Sequence, residues 1–279
     1  MSYRLGLYEK SMPNVLTLRE KLEHAKRAGF DYLELSIDES DEKLARLDWS
    51  PQEVFALSGA VCDTGVPIAS ICLSGHRKYP LGSPDPVAER RSLEIMKKAI
   101  DLAARLSVRQ IQIAGYDVYY EPGTEDTRRR FGENLAKSVE MAAEMGVLLA
   151  FETMETPFLN TVTKAMRYVQ EIHSPYLQVY PDIGNVTNAV KAEGGTVLGD
   201  LEAGRGHLSA MHLKETVPGV FREVPYGTGH VAFVPAVRKA LELGVRMFVG
   251  EFWYTGNDNW EQVLQDSAAF LRSCFPKEV

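Results

Sequence analysis

The 279-residue sequence predicts a (β/α)8 barrel, the TIM-barrel class. One observation is a recurring phrase: an amphipathic helix, a glycine, an apolar residue and then a strand. It reads KLEHAKRAGF-DYLELSI, FALSGAVCDTGV-PIASICL, KSVEMAAEMGV-LLAFE and RKALELGV-RMFVGE, with a fifth copy, AIDLAARLSV-RQIQIAG, that has Ser107 in place of glycine. Gly29, Gly65, Gly146 and Gly244 fit the left-handed position that ends a helix without Cβ strain. A second observation is that the strand segments are apolar with little polar alternation, as in strands covered on both faces. A third is that four strands of the second half each end on a side chain able to bind a divalent metal, where barrel enzymes keep their active sites.

The elements follow in order. The first strand is Arg4–Glu9 and the first helix Leu16–Ala28, closed by Gly29. A strand at Tyr32–Asp38 leads to a helix at Pro51–Asp63, where Ser50 is an N-cap followed by a first-turn proline. Strand Ile68–Ser74 precedes helix Pro86–Leu106, and strand Gln110–Gly115 precedes helix Glu125–Met145. Strand Leu148–Glu152 is followed by helix Val162–Ile172, and strand Gln178–Asp182 by a weak helical segment, Val197–Ala203. Strand Leu208–Leu213, helix Val234–Leu243, strand Met247–Glu251 and helix Trp260–Cys274 complete the set. The alternative is a doubly wound open sheet, which carries a Gly-rich phosphate fingerprint after its first strand. Here that strand ends in LGLYEK, with no such glycines after it. The glycine-rich piece 191–206 reads as an irregular loop, so residues 1–279 are expected to form one domain.

A net charge of −7 and a pI near 5.5 argue against a general polyanion binder and leave room for a small phosphorylated substrate in a local basic pocket. The three cysteines, Cys62, Cys72 and Cys274, match neither a disulfide framework nor a zinc ribbon. Reduced thiols in a cytoplasmic protein are expected. The N-terminus MSYRLGLYEK lacks the layout of a signal peptide, and no apolar run approaches the ~20 residues of a membrane helix. Neither a nucleic-acid nor a membrane partner is expected, and a homodimer is the default for an enzyme of this size.

Glu152, Asp182, His212 and Glu251 end the last four strands. If those strands lie side by side, three carboxylates and an imidazole converge, which makes a hard-to-borderline cation site for one Mn, Zn, Co or Mg ion. Without a metal, such a cluster of negative charge raises its own pKa values and costs stability. A ring of helix N-caps is the bland alternative, and two glutamates speak against it, since caps favour Asp, Asn, Ser and Thr.

Around the quartet, Glu155 either orients substrate or is solvated. Asn185 in PDIGN either meets a sugar hydroxyl or is a turn residue. Lys10, His76, Arg77, Lys78, Lys214 and Arg222 are the cations near strand ends. The run His76-Arg77-Lys78 suggests a substrate phosphate, against a solvated charge run. Lys214 needs an anionic partner so close to the proposed metal. Gly227 and Gly229 can offer backbone N–H groups to an anion, against an ordinary glycine-containing loop. Tyr8, Tyr116, Tyr119, Tyr120, Trp253 and Tyr254 can wall a sugar pocket or simply pad the rim.

These residues carry a family resemblance. The chain resembles the xylose-isomerase-like barrels and, within them, the L-ribulose-5-phosphate 3-epimerases (also called L-xylulose-5-phosphate 3-epimerases) of bacterial L-ascorbate use. It rests on LGLYEK, DESDEKLARLDWS, HRKYPLGS, LEIMKKAI, AGYDVYYE, TRRRF, YPDIGN and HLKETVPGVF with the following VPYGTG. The resemblance implies metal ligands at Glu152, Asp182, His212 and Glu251, with Glu152 and Glu251 also the acid/base pair. It implies that a ketose phosphate is epimerised at C3 through an enediolate. Inversion by two bases needs carboxylates on opposite sides of the sugar, and strands five and eight lie three steps apart in an eight-membered ring. An unphosphorylated ketohexose 3-epimerase and a non-catalytic sugar-phosphate-binding protein are the competing readings. A repair endonuclease fits less well, because the chain is acidic and has six histidines, only one of them in the site pattern.

Overall fold

The computed structural model describes residues 2–276. Eight parallel strands form one sheet: β1 (Arg4–Tyr8), β2 (Tyr32–Ile37), β3 (Ile68–Leu73), β4 (Gln110–Ala114), β5 (Leu148–Glu152), β6 (Leu177–Tyr180), β7 (Met211–Leu213) and β8 (Met247–Gly250). Their order is β6-β5-β4-β3-β2-β1-β8-β7. Parallel bridges Val179–Leu208 and Asp182–His212 span the remaining gap between β6 and β7. The sheet is therefore a nearly closed barrel, and the open-sheet alternative falls away.

Ten helices surround it among the described residues: α1 (Leu18–Ala28), α2 (Asp41–Leu44), α3 (Pro51–Thr64), α4 (Pro86–Arg105), α5 (Glu125–Met145), α6 (Val162–Ile172), α7 (Ile183–Glu193), α8 (Val197–Ala203), α9 (Phe233–Glu242) and α10 (Trp260–Ser273). Local chemistry sets their ends. Ser50 and Glu53 form a reciprocal capping box ahead of Pro51. Gly29, Gly65, Gly146 and Gly244 all have positive φ, as the repeated phrase predicts. Ser107 takes the same left-handed place at φ 57°, which costs a residue with a Cβ about 1–2 kcal/mol.

Two regions depart from the sequence reading. Helix α7, which begins directly after Asp182, is not anticipated, because IGNVTNAVKAE is rich in β-branched residues and asparagine that favour helix weakly. Tertiary packing buries its first seven residues and outweighs that propensity. Strand β7 has three residues, with Leu208 joining the ladder only through its isolated bridge.

The main core lies between strands and helices, where Leu33, Ile71, Ile111, Leu149, Met211 and Phe248 are almost fully buried. Each such side chain contributes about 1.5–3 kcal/mol through removal from water. A smaller cluster of Tyr8, Tyr32, Cys72, Ala150, Tyr180, Ala210 and Val249 fills the barrel interior. That inner layer is the floor on which the strand-end groups stand.

Candidate metal centre and active site

Strand direction carries Glu152, Asp182, His212 and Glu251 to one face, and one potential ligand atom from each lies within 4.8 Å of the others. All four are buried. Glu152 ends β5, His212 is next to last in β7, and Asp182 and Glu251 stand just beyond the ends of β6 and β8. Nδ1 of His212 is 3.1 Å from Glu152 Oε1 and 3.4 Å from Glu251 Oε2, so the two glutamates flank it. Asp182 is also an N-cap: its Oδ1 accepts the Asn185 N–H at 2.7 Å and starts α7.

The donor set fits a divalent cation. Asp182 Oδ2 and Glu251 Oε2 are buried without a hydrogen-bond partner. An unsatisfied buried acceptor is costly, and a cation between the two carboxylates satisfies both. Lys214 Nζ approaches them at 2.9 and 3.3 Å as an ion pair without hydrogen-bond alignment, so the two carboxylates are the anionic partners that this lysine requires.

Burial raises the Glu152 and Asp182 carboxyls, and the Glu251 charge adds to both; Lys214 works the other way on each. Burial also pushes Glu251 upward, but Lys214 and His212 outweigh it and hold Glu251 well below the usual carboxylate range. Burial alone would lower His212, yet Glu34, Glu251 and Glu152 raise it well above the ordinary imidazole range. A metal at Nδ1 competes with that proton.

The other candidate residues divide. Lys10, Arg77, Glu155 and Lys214 line a cavity of about 40 Å3 beside Glu152 and Glu251, together with Tyr8, Cys72, Phe221, Arg222 and Trp253. Lys10 pairs with Asp38. Glu155 accepts from Tyr116 at 2.7 Å and Tyr119 at 3.2 Å, and Arg77 stacks over the Tyr119 ring at 4.7 Å. Burial raises the Glu155 carboxyl less than its hydrogen bonds and nearby cations lower it. Arg222 lies 3.6 Å from Glu155 and over Trp253.

Five candidates are not brought to that cavity. His76 is buried, with Nε2–H donating to the Ser92 carbonyl in α4 at 3.0 Å, because the short 3-10 turn Gly75–Arg77 points it into the helix layer. Lys78 is half-exposed and faces Asp41 and Tyr79. Asn185 lies beneath Asp182 and donates to the Thr153 carbonyl at 2.7 Å. The Gly227 N–H and the Val231 N–H each donate to Glu215 at 3.0 Å, so an internal carboxylate already fills that loop. A side chain at Gly229 would collide with Glu215 and the Thr216 carbonyl, so Gly229 allows this close packing. A larger groove of about 1050 Å3 runs between α5 and α6 and is lined by none of the candidate site residues.

Two side chains that touch the quartet were not singled out from sequence. Glu34 on β2 is fully buried and accepts from His212 Nε2 at 2.7 Å. Gln112 on β4 donates to Glu152 Oε2. Their signal was a polar side chain in the middle of an apolar strand, Glu34 in YLELSI and Gln112 in QIQIA, since buried charges and amides need partners.

The xylose isomerase-like TIM barrel model matches residues 22–274. The chain belongs to this family. A putative L-ribulose-5-phosphate 3-epimerase UlaE of Shigella dysenteriae is 44% identical over 265 residues, covering 95% of this chain and 90% of that protein. L-ribulose-5-phosphate 3-epimerase UlaE of Escherichia coli O139:H28 matches with the same identity and coverage. The resemblance drawn from the motifs thus holds along nearly the whole family member, which is an isomerase of the epimerase type. Among solved structures, D-psicose 3-epimerase of Clostridium cellulolyticum H10 superposes with a TM-score of 0.81 at 16% identity, covering 97% of this chain and 99% of that one. An L-ribulose 3-epimerase superposes with a TM-score of 0.74 at 20% identity, covering 98% and 93%. At such identities these two structures speak for the shared fold alone. No helix among the described residues is long and apolar enough to cross a membrane.

Proposed function

We propose that the protein is a divalent-metal-dependent 3-epimerase that interconverts L-ribulose 5-phosphate and L-xylulose 5-phosphate. The observation that carries this reading is the convergence of Glu152, Asp182, His212 and Glu251 on one buried point. The UlaE relatives supply the substrate class.

Glu152, Asp182, His212 and Glu251 would hold the cation. When bound, it supplies positive charge that offsets the negative charge developing on the sugar oxygens as the C3 proton leaves. The protein does the proton work. One glutamate carboxylate removes the C3 proton from one face, leaving the enediolate. The other glutamate, protonated, delivers a proton to the opposite face and inverts C3. Proton transfer by a positioned carboxylate contributes about 10²–10⁴-fold. Gln112 fixes the orientation of Glu152, and Lys214 bridges Asp182 and Glu251. Lys10, Arg77, Lys214 and Arg222 are the cations that face the cavity; Lys214 is held by Asp182 and Glu251, and Lys10 and Arg77 suit the phosphate, while Glu155 suits a sugar hydroxyl. A cavity of about 40 Å3 is far smaller than the ~300 Å3 and more of typical ligand sites, so binding displaces the rim that carries Phe221 and Arg222. We also propose a cytoplasmic homodimer, since the described cysteines are free thiols and symmetric dimers are the commonest oligomers.

The test uses L-xylulose 5-phosphate in D2O with NMR detection. Native protein should incorporate deuterium at C3, lose that activity to a chelator and regain it with Mn2+ or Zn2+. Binding without exchange would identify a sugar-phosphate sensor instead. Preference for free ketohexose over the phosphate would point to the unphosphorylated epimerase.

A further inference from the structure

We infer that Glu34 is a positioning residue that turns Nδ1 of His212 toward a cation and, as a carboxylate, strengthens the bond that this nitrogen makes; this rests on the metal-centre reading above. Glu34 lies on β2 and His212 on β7, strands separated by β1 and β8 in the sheet. The glutamate side chain therefore crosses the barrel interior. Its Oε1 accepts the His212 Nε2–H at 2.7 Å. Its Oε2 accepts the Ser70 hydroxyl at 2.6 Å and the Tyr180 hydroxyl at 3.1 Å. Glu34, Ser70, Tyr180 and His212 are all completely buried.

Three features separate Glu34 from the other acids. It is absent from the set of four converging ligands. It does not line the cavity beside them. Its two oxygens already have three donors, so no cation is needed to balance them. Its connection to the reacting end of the barrel runs through His212. With Nε2 committed to Glu34, Nδ1, which faces Glu152 and Glu251, is the nitrogen left to ligate a cation once its own proton is displaced. The Tyr180 ring packs edge-on against the imidazole at 4.8 Å, which opposes a ring flip. A neutral acceptor would serve to fix the tautomer. A carboxylate also raises the basicity of the imidazole and so strengthens its bond to metal, which explains a charge in so buried a place.

The experiment compares zinc binding to chelator-stripped parent and Glu34→Gln proteins, by competition with a chromogenic chelator. The variant should bind Zn2+ about 10–100-fold more weakly. Metal-free thermal unfolding is the structural control, since the variant takes away the buried carboxylate partner of the His212 Nε2–H. A Glu34→Gln protein that melts earlier and yet matches the parent affinity within about twofold would reduce Glu34 to a structural part and overturn the inference. If that variant fails to fold, 15N-histidine NMR of the zinc-loaded parent decides. The His212 proton should sit on Nε2, and a proton on Nδ1 overturns the inference. A parent that takes up no zinc removes the metal centre itself, an outcome distinct from a zinc-binding parent with an unaffected variant.

Discussion

Asp182 Oδ1 accepts the Asn185 backbone N–H at 2.7 Å, so one carboxylate both starts helix α7 and faces the candidate metal centre with its other oxygen. The two roles separate by mutation. Asp182→Asn keeps a capping oxygen, whereas Asp182→Ala loses it. In chelator-treated protein the alanine variant should be less stable than the asparagine variant by about 1 kcal/mol in urea unfolding. Both should lose metal affinity in a Zn2+ titration, because neither retains the charged oxygen.

Glu152→Gln and Glu251→Gln test the proton transfers. Each should lower turnover about 10²–10⁴-fold while the sugar phosphate still binds. Deuterium incorporation at C3, started from each epimer in turn, assigns the faces. Two variants with full turnover would end the two-base mechanism.

Arg77 and Lys78 are adjacent in sequence, but only Arg77 lines the cavity. Arg77→Ala should raise KM for the phosphosugar about 10–100-fold, the weight of a charge-assisted hydrogen bond. Lys78→Ala should leave KM within about twofold, as for a surface charge. Steady-state kinetics with phosphorylated and free ketose checks both. Equal effects would relocate the phosphate.

His76 links stability to pH. Burial holds its pKa at about 4, against an ordinary value of 6.5. The unfolded chain therefore binds more protons than the folded one between these values, and stability falls as pH drops from near 6.5 toward 4. Between pH 7 and pH 5 this group alone should remove about 2 kcal/mol. Urea unfolding of the parent against His76→Gln measures it. The variant should lose less stability over that interval, and an identical loss would refute the assignment.

Sequence alone determined a good deal. The helix–glycine–strand phrase, present four times and a fifth time with Ser107, marked the βα repeat, and the count of apolar strands brought it to eight, because a left-handed helix end and a two-faced apolar strand are local requirements visible in consecutive residues. The convergence of the four candidate ligands was legible for the same reason: parallel strands oblige their C-terminal ends to share a face. Tertiary structure decided what depends on direction across the barrel. His76, Arg77 and Lys78 are consecutive, yet a 3-10 turn sends one into the helix layer, one to the cavity and one to the surface. Gly227 and Gly229 looked open to a ligand, until the fold brought Glu215 against them. Glu34 and His212 are 178 residues apart, and only barrel closure makes them partners. Local propensity is written in neighbouring residues, whereas a buried hydrogen bond across a barrel exists only once every strand has found its place.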